Sequence, residues 1–315
     1  MTSLITGGTG FLGASLAREM TSKGEKPVLL DIAPNTRIIA DVGDQVQLVR
    51  GDLSVLADVI NVVRDYEIDE IIHLGGVISA AAEERPLGVF GVNFNGTLNV
   101  LEAARLFDVK KVIYSSSMAA YTTEGAPKRV REDWLRDPPT SYGISKVFSE
   151  LWGLYYSRRY GLDFGALRFP TLIGPGRPWS TFAYASWIIQ KAALNESWEI
   201  PVPPEARSPI CYVKDGVLAI DALRRIHNPL SRIYNVGSIS PSAQEILDEV
   251  KKSVPGAPLI FKPNEKVTKV IMSRTPPDLD DSLARQELNY SQNYQLATLV
   301  TDFLKEIAEH RAIYT

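Results

Sequence analysis

Cysteine is almost missing. Cys211 is the one thiol in 315 residues, so no internal disulfide can staple the fold. No positively charged leader or cleavage site opens the chain. Together these features make a reducing cytoplasm the expected compartment. Histidine is scarce as well. His73, His227 and His310 lie far apart, and no metal site is expected. Neither sign of charge dominates. Thirty-four basic residues against 37 acidic ones give a net charge of -3, with no basic tract and no acidic tail. That excludes the electrostatic footprint of a nucleic-acid binder. No apolar run approaches a membrane span, so no membrane partner is expected. Repeats and low-complexity tracts are absent too. What remains is 45% hydrophobic and 23% charged, ordinary for a globular chain long enough to bury a large core.

Against these absences stands Thr6-Gly7-Gly8-Thr9-Gly10-Phe11-Leu12-Gly13. It follows a short apolar run and leads into a helical stretch beginning at Ala14. Glycines at 7, 10 and 13 let a backbone turn tightly, approach a pyrophosphate and pack a helix on a strand. The helix start then offers free N–H groups and a positive dipole end to phosphates. Val28-Leu29-Leu30-Asp31 reads as a second strand ending in an acid, placed to accept hydrogen bonds from an adenosine ribose. Further strands are expected at 46–49, 70–74, 111–115 and 164–168, with helices over 54–66, 87–107 and 141–160. Such alternation predicts an α/β fold, a Rossmann-type doubly wound parallel sheet. Beyond Pro170 the texture changes. Prolines cluster at 175, 178, 201, 203, 204 and 209, and again at 255, 258, 263, 276 and 277. Residues 1–169 are therefore read as the NAD-binding part. Residues 170–315 are read as a smaller substrate-binding region partly interleaved with the sheet.

Tyr142 and Lys146 stand four apart near the start of a helix, so both side chains leave one face. An ammonium there would favour the phenolate and lower the tyrosine from its ordinary value of about 10. A tyrosine so tuned can act as general base on an alcohol or general acid on a ketone.

The glycine turn, Asp31, Asp52-Leu53, His73-Leu74-Gly75-Gly76, Asn93, Ser115-Ser116-Ser117 and the Tyr142/Lys146 pair occur in that order. Together they resemble the extended short-chain dehydrogenase/reductase superfamily, the NAD-dependent epimerase/dehydratase family, along essentially the whole chain. The resemblance implies NAD as cofactor, held by Gly7, Gly10, Phe11, Leu12, Gly13, Asp31, Asp52, Leu53, Leu74, Gly75, Gly76, Asn93, Tyr142, Lys146 and Phe169. It implies catalysis by Tyr142 as acid/base, Lys146 as ribose ligand and tuner of the tyrosine, and Ser117 as partner of the reacting oxygen. Ser115 and Ser116 are then packing or turn residues, and His73 is structural. A homodimer is implied, built on the helices over 87–107 and 141–160, with Phe148, Leu151, Leu154 and Tyr155 in contact.

Segments around Gly76–Ala80, Val92–Thr97 and Pro276–Arg285 are similar to short-chain-type L-threonine 3-dehydrogenases. Segments around Tyr155–Arg159, Leu167–Leu172 and Gly176–Ser186 are similar to D-erythronate dehydrogenases. By these likenesses Ser79, Ser117, Tyr142, Thr171 and Arg177 face the substrate, with Arg177 suited to a carboxylate. At 180–185 the acid that could pair with an amino group is missing, which speaks against threonine itself. The expected activity is NAD-dependent oxidation of a secondary alcohol in a small hydroxylated acid, either a sugar acid or a hydroxy amino acid. A nucleotide-sugar 4-epimerase is the alternative, and a non-catalytic NAD-sensing protein is the alternative of another class.

Overall fold

The computed structural model describes residues 1–78, 83–84, 86–274 and 278–314. Its centre is a sheet of seven parallel strands. In chain order these are β1 (Ser3–Thr6), β2 (Val28–Asp31), β3 (Gln47–Arg50), β4 (Glu70–His73), β5 (Lys111–Ser117), β7 (Asp163–Phe169) and β11 (Ile233–Asn235). Their order across the sheet is β11-β7-β5-β4-β1-β2-β3. The direction of winding reverses between β1 and β4, and ligands of such sheets bind at that switch point.

Neighbouring residues in each strand feed opposite faces. Leu4, Ile71 and Val112 enter one apolar cluster, while Ile5, Ile72 and Ile113 enter the other. Both faces are therefore covered, as a parallel sheet requires. The helices that cover them include α1 (Phe11–Ser22), α2 (Leu56–Asp65), α4 (Gly96–Leu106) and α5 (Ser141–Tyr160). The expected helix over 87–107 is a composite. A short α3 (Pro86–Val89) passes through a π-helical turn (Phe90–Asn95) into α4. Helix α5 spans the expected residues. Thr140 caps its start by accepting from Gly143 N at 3.0 Å, and Gly161 ends it in the left-handed region at φ 75°.

The second half closes over the strand ends. It contributes β8 (Thr171–Ile173), β9 (Trp198–Ile200), β10 (Ile210–Tyr212) and β12 (Leu259–Phe261), paired as β8–β10 and β9–β12. Arg129–Val130, labelled β6, pairs with β13 (Asp278–Leu279). Helices α6 (Tyr184–Ala193), α7 (Val213–Arg225), α8 (Ala243–Ser253), α9 (Glu265–Arg274), α10 (Ser282–Leu288), α11 (Leu296–Glu309) and α12 (Arg311–Tyr314) complete the chain. Strand β11 belongs to this half yet forms the outer edge of the main sheet. No helix among the described residues is long and apolar enough to cross a membrane.

Two glycines make the first turn possible. Gly7 sits at φ +63°, and a Cβ there would lie 2.9 Å from Gly75 Cα. At Gly13 a Cβ would collide with the Gly7 carbonyl oxygen and the Gly8 backbone, none of which can retreat. Gly13→Ala is therefore expected to destabilise the fold by about 2 kcal/mol through overpacking against backbone. Urea unfolding checks this as a lower midpoint with an unchanged slope.

Candidate active site

A cavity of about 890 Å³ opens at the carboxyl ends of the strands. Most of the residues expected from sequence meet there. Gly7, Gly10, Phe11, Leu12 and Gly13 form one wall, with Asp31, Asp52, Leu53, Leu74, Gly75 and Gly76 beside them. Ser117, Tyr142, Lys146, Phe169, Thr171 and Arg177 line the other end. Ser79 lies outside the described residues. Asn93 does not line the cavity. It is buried behind it, accepting from Val77 N at 2.7 Å and donating to Val77 O at 3.0 Å and Ser145 Oγ at 3.1 Å. It thus ties the loop after β4 to the first turn of α5.

The glycine-lined wall suits a dinucleotide. Helix α1 has no side-chain cap, so its first N–H groups have no acceptor within the helix. Phe11, Leu12 and Gly13 carry those groups along the cavity wall. A pyrophosphate satisfies such orphan donors and favours the positive end of the helix dipole. The Asp31 carboxylate holds its own loop: Oδ2 accepts from Thr9 Oγ1 at 2.8 Å and Thr9 N at 3.2 Å. Its Oδ1 accepts from Ala33 N alone, at 3.3 Å, leaving lone pairs for a ribose hydroxyl. Asp52 braces Ser54 in the same way. His73 sits below this wall, buried between Thr6 Oγ1 at 2.7 Å and Thr97 Oγ1 at 3.2 Å. Burial, helped by the Lys146 charge, pushes it down to about 3, so it is neutral and structural.

At the other end three consecutive serines of β5 face α5, and two of them hold a residue of it. The Ser115 carbonyl accepts from Lys146 Nζ at 2.7 Å, and Ser116 Oγ donates to Glu150 Oε1 at 2.6 Å. Ser117 lies beside the Tyr142 phenol and accepts from Ala119 N at 3.1 Å. The expectation that Ser115 and Ser116 only pack or turn is corrected here. Their polar atoms are the anchors of the helix, because β5 runs on to Ser117 alongside β7.

The electrostatics also differ from expectation. Desolvation pushes the Tyr142 phenol up, while the neighbouring Ser117 hydroxyl and the positive charge of Arg177 oppose that rise. Lys146 is not the cation that lowers it. The ammonium is buried over the Tyr114 ring, 4.7 Å from its centroid, and over the Tyr142 ring at 5.3 Å. Burial pushes Lys146 itself down to about 7 against the pull of Glu150. Arg177 stacks 5.3 Å from the Phe11 ring centroid, and its Nε is buried without a partner. Burial pushes this guanidinium down, and the neighbouring Tyr142 pulls it back up. A half-buried guanidinium with an unsatisfied donor on a cavity wall suits a planar anion.

Several cavity residues carry no sequence motif. Tyr121 and Val270 arrive through long-range packing. Glu83 and Glu84 line the rim. Glu83 accepts from Ser141 N at 2.9 Å and Ser141 Oγ at 2.7 Å, capping α5 a second time. Glu84 supplies a carboxylate that the segment 180–185 lacks. Nearby, Trp179 packs edge to face on Trp187 and Trp198, at 5.4 and 5.8 Å, and those two lie tilted on each other at 6.0 Å. Among the described residues no cluster of metal-ligating side chains occurs.

Residues 3–237 match the model of the NAD dependent epimerase/dehydratase family. Over 310 residues the chain is 31% identical to the mitochondrial L-threonine 3-dehydrogenase of Bos taurus, covering 96% of this chain and 81% of that one. Among solved structures it is similar to the holo form of a GalE-like L-threonine dehydrogenase from Cupriavidus necator. The TM-score is 0.88 at 25% identity, over 98% of this chain and all of the other. The UDP-glucose 4-epimerase of Thermotoga maritima superposes with a TM-score of 0.86 at 20% identity, over 98% and 99%, a likeness of fold.

The buried neutral His73 makes stability depend on pH. Above its unfolded value of about 6.5 the ring is neutral in both states. As pH falls from there towards 3, the unfolded chain takes up a proton that the fold refuses, so stability is lost. Melting temperature against pH is expected to fall over that window, and His73→Gln is expected to flatten this part of the slope.

Proposed function

The chain belongs to the NAD dependent epimerase/dehydratase family and uses NAD as a short-chain oxidoreductase, and from that premise we propose that it oxidises the secondary alcohol of a small hydroxylated acid. The observation that carries the substrate class is Arg177. This guanidinium lines the same cavity as Ser117 and Tyr142, and its buried Nε has no partner. A carboxylate held there leaves a neighbouring carbinol within the reach of both hydroxyls.

Bound NAD supplies a hydride acceptor at the nicotinamide. The residues of the chain do the rest. Ser117 and Tyr142 bind the alcohol oxygen, and Tyr142 takes its proton. Ser117 and Arg177 stabilise the phenolate that must form, since both lower a phenol that desolvation has raised. Lys146, fixed by the Ser115 carbonyl, holds the ribose and orients the ring of Tyr142. Thr171 and Phe169 shape the floor, within the substrate-binding part at 170–315 and its border. Alignment of alcohol and acceptor supplies much of the rate.

Within the hydroxylated acids, a hydroxy amino acid is favoured over a sugar acid by Glu84. It places a carboxylate on the rim where an ammonium group can pair with it. The mammalian relative named for threonine supports the same choice.

We also assign the chain to homodimers in a reducing cytoplasm, where its single buried thiol, Cys211, stays unmodified. Leu87, Phe90, Ile144, Leu151 and Tyr155 are exposed on α3, the π-helical turn and α5. Phe90, Phe94, Phe148 and Trp152 stack along the same two segments, with centroids 4.6 to 6.0 Å apart. A ribbon of this kind on two adjacent helices suits a self-complementary two-fold contact.

Four outcomes test these assignments. A panel of hydroxy amino acids, sugar acids and nucleotide sugars is expected to give free NADH, followed by absorbance, with the first two classes. Tyr142→Phe is expected to cut kcat by about a hundredfold with NAD binding retained. Tightly retained NAD and interconversion of a nucleotide sugar would instead mark an epimerase. Glu84→Gln is expected to raise KM about tenfold for a hydroxy amino acid and to leave sugar acids unaffected, the loss of one charge-assisted bond. Sedimentation at micromolar concentration is expected to give twice the 34.8 kDa of one chain. A single-chain species there would refute the dimer.

A further inference from the structure

One buried charge beside the reaction centre has no task in the chemistry above. Glu150 lies on α5 one turn beyond Lys146, on the same helical face, and is fully buried. Its Oε1 accepts from Ser116 Oγ at 2.6 Å and Arg168 Nε at 2.7 Å, and its Oε2 accepts from Arg168 Nη2 at 2.6 Å. Arg136 approaches Oε2 to 3.7 Å. Arg168 continues the chain by donating from Nη1 to the Tyr121 hydroxyl at 2.6 Å. That hydroxyl donates to Asn235 Oδ1 at 2.7 Å. The network therefore joins β5, α5, β7 and β11, and its Tyr121 faces the cavity. A buried ion pair contributes little net stability, and apolar groups of similar volume often replace one without loss. Stability alone gives no reason for a carboxylate at this point.

Resting on the dehydrogenase reading, we propose that Glu150 is a positioning residue: clamped by Arg168 and Ser116, it serves as the counter-charge of Lys146 and fixes the strand that carries Ser117. The groups facing Lys146 are few. Tyr142 and Glu150 come from its own helix, Tyr114 from β5 and His73 from β4. His73 is neutral near pH 7. Burial pushes the phenols of Tyr114 and Tyr142 up, so they are neutral as well. Glu150 is the one anion of this set. Without it, burial alone acts on the ammonium, and Lys146 gives up its proton at a lower pH.

Thermal unfolding of the full chain between pH 5 and 10 reads this directly. Lys146 is depressed in the fold to about 7, against about 10.4 when unfolded. Between these values the unfolded chain binds the extra proton, so the stability linked to Lys146 rises with pH from 7 upward. Subtracting the melting curve of Lys146→Met isolates that rise. With Glu150→Gln in both backgrounds, the onset is expected to move down by about one pH unit. An onset that stays at 7 while Tm drops equally at every pH overturns the proposal. If Glu150→Gln does not fold, the double variant Glu150→Gln/Arg168→Met, neutral and of similar volume, carries the same comparison. Ser116→Ala tests the clamp with both charges kept. It is expected to leave the onset at 7, lower kcat about tenfold and leave KM unchanged. A wild-type kcat in Ser116→Ala overturns the positioning role. The melting comparison needs no substrate, so it stands or falls separately from the dehydrogenase assignment.

Discussion

The site depends on a seam in which two consecutive serines of β5 hold two residues of α5 and a third, Ser117, faces Tyr142. Buried polar groups must be paired, and a shift along this seam would deprive an ammonium and a carboxylate of partners together. The seam therefore has one register. Everything nearby inherits it. Tyr142 is placed at the end of the sheet, and Lys146 is aimed under the same cavity. The edge of the sheet is fixed through Arg168 and Asn235. Asn93 performs the same service from the other side, pinning the first turn of α5 to the loop after β4.

The electrostatic character of the cavity follows from the same dryness. Desolvation acts on three groups there in the direction that removes their charge: Tyr142 upward, Lys146 and Arg177 downward. The groups are thus balanced against one another. A ligand that carries negative charge to Arg177 weakens the cation that opposes the rise of the phenol, without touching it. This is the ordinary arrangement by which a protein moves a tyrosine towards useful acid/base chemistry.

Much of this was legible in the chain. Glycine spacing at 7, 10 and 13 and apolar runs of four residues report local geometry, so the first turn and most strands of the sheet were readable. Helix α5 begins at a threonine cap and ends at a left-handed glycine, and its bounds were readable too. What escaped depends on distant partners. Strand β5 reaches Ser117 because β7 runs beside it. The pairs β8–β10 and β9–β12 join residues roughly forty to sixty apart, which no local pattern encodes. The acid Glu150, four residues after Lys146, was visible as spacing. Its partner Arg168 was hidden in a strand that read as apolar. Glu84 lies in a stretch without periodicity, and nothing in its neighbours announced a place on the rim. The direction of the Tyr142 shift was misjudged because spacing reveals which charges are near and says nothing about how dry the place is.

The order of strands also bears on how the chain is made. Strand β1 has both its neighbours, β2 and β4, within the first 73 residues. During synthesis the pairing needs of the glycine turn are met while most of the chain is still inside the ribosome or not yet translated. The opposite edge is different. Strand β7 waits for β11, which ends at Asn235, and that asparagine also closes the network through Tyr121. The nucleotide side of the sheet can thus form early, whereas the substrate side must stay open at its edge until about three-quarters of the chain has emerged.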